Sequence, residues 1–157
     1  MLIPKSLNNL FFPKAMRLYN QKEYPKLRIH LKKYYISLLS YIIPVVLLTI
    51  YVMKPVIAFF FPEHLIGIRY VHIVLPGMLA ILLSAPIGLI YNASIKLMPM
   101  LLAYAFSVFI NIIFIYFFWK TDRFNLENIA FLKSALGIFI FLFFYGSYLF
   151  MKKRIWT

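Results

Sequence analysis

VHIVLPGMLAILLSAPIGLIY, residues 71–91, runs for 21 positions without an Asp, Glu, Lys or Arg. A helix needs about 20 mostly apolar residues to cross a bilayer, and only a helix or closed barrel satisfies its own backbone hydrogen bonds there. The stretch therefore reads as a transmembrane span. Three further windows meet the same test, at 34–53, 98–119 and 128–151, and the four together contain one charged side chain, Lys133. Aromatic residues mark several ends: Tyr34 and Tyr35, Tyr70, Tyr91, then Phe117, Phe118 and Trp119. Tyr and Trp favour the headgroup level, where the ring is buried and its polar atom stays wet. The expected fold class is an all-α polytopic membrane protein with four transmembrane helices, preceded by a basic amphipathic cytoplasmic segment.

Composition excludes most alternatives. Of 157 residues, 64% are hydrophobic and 13% charged, against about half and a quarter in water-soluble domains. A soluble chain of this size could not hide such a surplus of Phe, Leu and Ile. The net charge is +13, from 17 Lys and Arg against Glu23, Glu63, Asp122 and Glu127. These cations sit in short stretches flanking apolar runs, so membrane lipid is the expected partner and nucleic acid is not. With no Cys, disulfides and thiolate metal sites are excluded.

Charge also gives direction. Lys5, Lys14, Arg17, Lys22, Lys26, Arg28, Lys32 and Lys33 precede the first span; Lys96 lies between the second and third; Lys152, Lys153 and Arg154 follow the last. The opposite side carries Lys54, Arg69, Lys120 and Arg123, with three of the four acids. The positive-inside rule then predicts both termini in the cytoplasm, in agreement with an even number of spans. Residues 1–33 form the expected basic segment, with 14–33 an amphipathic helix at the inner headgroups, and 34–157 the four-span domain. Val56 to Phe61, too short to cross, either extends the first span past Pro55 or lies in the outer interface.

Inside the spans, Pro44, Pro76 and Pro86 each free a backbone carbonyl that needs another partner in lipid. Gly77, Ala80, Ser84 and Gly88 make a small-residue stripe that lets a second helix approach. Ala103, Ser107 and Asn111 repeat the spacing in the third span, and Asn111 needs a hydrogen-bond partner from another helix or water. In the fourth, Ala130, Lys133, Ser134 and Gly137 fall on one face. A lysine near the bilayer centre costs roughly 3 kcal/mol, which makes Lys133 a candidate substrate contact; equally, its stem could snorkel outward. The residues point away from an enzyme: His30, His64 and His72 have no metal-ligand spacing, and phosphate loop, nucleophile elbow and close carboxylate pair are all missing. No metal or cofactor is implied.

The order of landmarks resembles the C-terminal part of bacterial oligosaccharide flippases, the polysaccharide-biosynthesis branch of the superfamily that includes multidrug exporters. The likeness runs from Phe12-Pro13-Lys14 and Arg17-Leu18-Tyr19 through Tyr24-Pro25-Lys26-Leu27-Arg28, Lys32-Lys33-Tyr34-Tyr35 and Pro44. It continues in Val56-Ile57-Ala58-Phe59-Phe60-Phe61-Pro62-Glu63, Asn92-Ala93-Ser94 and Asn111. It implies transport of an undecaprenyl-pyrophosphate-linked oligosaccharide across the bacterial cytoplasmic membrane by alternating access of two lobes, with Lys133 and Asn111 as candidate substrate contacts. Four spans would supply most of one lobe, so an N-terminal lobe, or self-association, is the expected partner. Two other readings stay open: a small homo-oligomeric transporter joined through Ala80, Ser84 and Gly88, and a non-transporting membrane subunit of a glycan-assembly complex.

Overall fold

The computed structural model describes residues 2–94 and 97–155, and among them all regular structure is helical. Lys96 lies outside the described residues, as do the side chains of Lys5, Lys152, Lys153 and Arg154. Six α-helices follow one another: α1 (Leu2–Asn20), α2 (Tyr24–Leu47), α3 (Met53–Phe60), α4 (Leu65–Ala93), α5 (Met98–Lys120) and α6 (Leu126–Ile155). Four helical stretches are long and apolar enough to cross a membrane, the first formed by α2 and α3 together and the others by α4, α5 and α6.

The first of these departs most from expectation. Helix α2 starts at Tyr24 and runs through the boundary placed at 33/34 without a break. Residues 14–33 are thus not one amphipathic helix. They comprise the end of α1, a turn, and the first turns of the spanning helix. The turn is a Schellman motif: Lys22 N–H donates to Tyr19 O and Glu23 N–H to Leu18 O, each 3.0 Å, with Lys22 at φ 56°. Alternation of apolar and basic positions then folds α1 back on α2. Ala15 and Leu18 pack with Leu27, Leu31 and Tyr34, and Leu89 and Ile90 of α4 complete the cluster. The ring of Phe11 stacks on Tyr34 at 4.8 Å, and His30 Nε2 donates to Phe11 O at 3.0 Å.

Beyond Leu47 the helix widens into a π turn, Leu48–Val52, in which Met53 N–H reaches back five residues to Leu48 O. The cause is Pro55, whose ring crowds the Tyr51 carbonyl and cannot bond to it. The chain stays helical to Phe60, so Val56 to Phe61 prolongs the first span rather than forming a separate interfacial piece. Pro62–His64 then makes one 3₁₀ turn and the chain reverses.

Helix α4 packs on α6 over the largest contact of the fold, and α5 makes a smaller contact with α6. Two local devices set the α5–α6 connection. A second Schellman turn closes α5, with Asp122 at φ 50° and Arg123 N–H donating to Phe118 O at 2.9 Å. Asn125 then caps α6, its Oδ1 accepting from Asn128 N–H at 2.8 Å. At this end of the bundle Arg69 pairs with Glu127 at 2.7 Å. At the other, the first turns of α2 meet the last turns of α4 and α6 around Arg28, Ile90 and Tyr148.

Candidate functional site

The α4–α6 contact is built from residues without bulk. A Cβ placed on Gly77 would come closer than 3.0 Å to the backbone of Ser134, and one on Gly137 would do the same against the backbone of Gly77. The two helices therefore touch main chain to main chain, an approach only glycine permits at both positions. Pro76 precedes Gly77 in the same turn, and the Gly77 N–H donates to Ser134 Oγ across the contact at 3.1 Å. A kink-prone turn is thus held by a partner helix instead of by water.

Each residue of the small stripe on α4 is buried, but they do different things. Gly77 makes the backbone contact; Ala80 and Ser84 are covered within the bundle, with Ser84 Oγ donating to Ile81 O at 2.6 Å. Gly88 meets only Met100 and Phe144, at ordinary distances of 3.9 and 4.0 Å. The stripe thus faces the interior of the chain, with Ser84 and Gly88 also lining a hollow.

Helix α6 separates Lys133 from the three residues that its periodicity grouped with it. Ala130, Ser134 and Gly137 are buried, whereas Lys133 is exposed. Its position is still distinctive. Lys133, Gly137, Ile140 and Phe144 share one stripe at i, i+4, i+7 and i+11. Ile140 and Phe144 are sealed by Ile87 and Tyr91 of α4 and Ala103 of α5, and Gly137 by Gly77. Cover ends one turn further on, at Lys133. Helix α5 shows the same opening: Ala103 and Ser107 are buried and Asn111, the next along, is half-buried. Eight residues of rise from Ala103 to Asn111, about 12 Å, bring Asn111 to a depth comparable with Lys133, because the helices run antiparallel and Ala103 sits beside Ile140 and Phe144. The two sequence candidates thus lie at similar depth where the bundle opens, and no hydrogen bond joins them among the described residues.

Several hollows flank this framework. An apolar cleft of about 450 Å³ between α5 and α6 is walled by Phe114, Phe118, Phe131 and Phe139. A smaller hollow of about 260 Å³ lies over α4, with Asn8, Tyr34, Asn92 and Tyr104 in its wall; the Tyr34 hydroxyl is buried without a hydrogen bond among the described residues. The third, about 320 Å³, lies in the α1–α2 elbow and carries Lys14, Arg17, Lys26 and Lys33 beside His30. The sequence placed those cations along one amphipathic helix over 14–33. Their convergence needed the reversal at Lys22, whose left-handed turn carries no Gly; Pro25 marks only the start of the helix that follows.

Among the described residues no three His, Asp or Glu side chains gather in a metal-binding group. No family model, curated protein or solved structure matches the chain.

Proposed function

We propose that this chain is one lobe of a membrane transporter for a lipid-linked oligosaccharide, with Lys133 facing the path between that lobe and its partner. The observation that carries the reading is the place of Lys133: in the span of α6, on a stripe whose lower residues are sealed, at the first position where cover is missing. A charge at that depth is costly unless water or an opposite charge meets it. An anionic pyrophosphate passing a cleft would do so, with Asn111 as a hydrogen-bonding neighbour at similar depth. The proline-interrupted spans, which suit helices that line substrate paths, and the resemblance to oligosaccharide flippases support the same reading. On it, the basic end faces the cytoplasm of a bacterial cell.

The test is glycan export in cells that supply the other lobe. Lys133→Gln should abolish export at unchanged protein level, and Lys133→Arg should retain part of it. Full export by Lys133→Gln, or failure of the chain to associate with any such lobe, overturns the proposal. A homo-oligomer is the second reading, favoured by how little of α3 and α5 is covered. It would use those flanks, and disulfide crosslinks between Cys substituted at Phe109 of two copies would reveal it.

A further inference from the structure

We infer that the α1–α2 elbow is a binding site for a phosphate group carried by a lipid, separate from the Lys133 cleft and independent of any transport role. Four cations reach its hollow from two antiparallel helices: Lys14 and Arg17 from α1, Lys26 and Lys33 from α2. Only one acid lines it, Glu23, and that carboxylate is engaged by Lys26 at 3.1 Å. Lys14, Arg17 and Lys33 have no ion-pair partner among the described residues. Helix α2 opens beside them with Glu23 at its N-cap and no acid in its first turn, so the part of its positive dipole end that Glu23 leaves uncompensated adds to the field.

Such a group repels itself unless an anion enters. The dipole at the end of α1 offsets part of the repulsion on Arg17, but Lys26 stands in the first turn of α2, the wrong end for that help. The apolar scaffold holds the cations together regardless: Leu18 lines the hollow from below, and His30 is fixed by its bond to Phe11 O. The arrangement suits a compact polyanion with several acceptor oxygens, as phosphate is.

The lipid is argued from the neighbouring hollow. Ile29 lines both this pocket and a second one of about 430 Å³, so the two share a wall. The second pocket is apolar in its depth, where Leu31, Ile87 and Ile90 lie, and Arg28 and Lys32 rim it. A phosphate in the elbow would leave its chain free to pass over Ile29, itself 59% exposed, onto that apolar floor. A soluble phosphate would use the first pocket and leave the second unused.

Purified full-length chain in neutral detergent, titrated with phosphatidic acid and read by native mass spectrometry, tests this. One variant combines Lys14→Gln, Arg17→Gln and Lys33→Gln; a control with the same charge loss combines Lys54→Gln, Lys120→Gln and Arg123→Gln. At about fivefold per cation, the elbow variant should bind phosphatidic acid roughly a hundredfold more weakly, while the control stays near wild type. Lys14→Arg with Lys33→Arg should retain binding, and unchanged helical circular dichroism in all variants separates loss of the site from loss of the fold. Equal weakening in elbow and control variants would reduce the effect to net charge and overturn the site. Inorganic phosphate distinguishes the source. Weak competition at millimolar levels supports a lipid, whereas phosphate binding as tight as phosphatidic acid overturns the lipid and leaves a soluble-phosphate site.

Discussion

Helices α4 and α6 meet backbone to backbone, whereas α5 leans on the same α6 through a seam of Ala103 and Ser107 and leaves nearly all its large side chains uncovered. The two contacts differ in residue size more than in hydrophobicity. In lipid, apolar bulk gains nothing by leaving hydrocarbon for a helix face, so close approach and hydrogen bonds decide which helices adhere. Gly77, Ser134 and Gly137 supply both. The Leu, Ile and Phe of α5 supply neither, and remain available to lipid or to another protein surface.

The comparison can be broken most severely at the glycines. Gly137→Leu or Gly77→Leu must force main chains apart, and should destabilise the bundle by about 3 kcal/mol or more, read as loss of helical signal at lower SDS in a detergent titration. Gly67→Leu and Gly146→Leu, whose Cβ positions meet nothing within 4 Å, should leave that midpoint close to wild type. Next in size is Ser134→Ala, which removes the acceptor of the Gly77 N–H beside Pro76; roughly 1 kcal/mol is expected, with slowed amide exchange protection lost at Gly77 first. Arg69→Ala should cost about 0.5 kcal/mol or less, since the pair with Glu127 is largely exposed, and the difference should fade in high salt. On the bare side, Phe109→Leu should change stability by about 0.5 kcal/mol at most. A large loss there in the isolated chain would mean that α5 has a partner surface within it after all.

The last small effect has the opposite sign. Lys22 and Asp122 hold left-handed backbone at the two Schellman turns, where glycine is favoured. Lys22→Gly should therefore stabilise the elbow by up to about 1 kcal/mol, measured as a higher unfolding midpoint, although it also removes a cation near the phosphate site proposed above.

What could be read from residue order alone was the set of spans. Three windows differ from the observed helices by a few residues: 71–91 lies within Leu65–Ala93, 98–119 nearly coincides with Met98–Lys120, and 128–151 lies within Leu126–Ile155. The first window missed the start of its helix by ten residues. Hydropathy marks where a helix can enter hydrocarbon, and Arg28, Lys32 and Lys33 end that permission without ending the helix. Pairing was not legible either. The stripe on α4 announced a close approach, but Gly137 as the partner of Gly77 depends on the angle and height at which α6 crosses. Lys133 shows the limit of a helical wheel. One residue is about 100° of rotation, so a seam as narrow as Ala130, Ser134 and Gly137 can bury its members and leave their neighbour open.

The π turn at Leu48–Val52 acts on the first span as a dislocation acts on a crystal row. One extra residue is taken up in a single turn, so everything beyond it, from Met53 to Phe60, is set out of phase with the helix below by about 100°. A pattern of faces read continuously along residues 24–60 would therefore assign the wrong side to Lys54 and Phe59. Pro55 pins the defect where it is. Were that proline absent, the slip could migrate or anneal, and the α3 end of the span would turn about its own axis without any change in its neighbours' sequence.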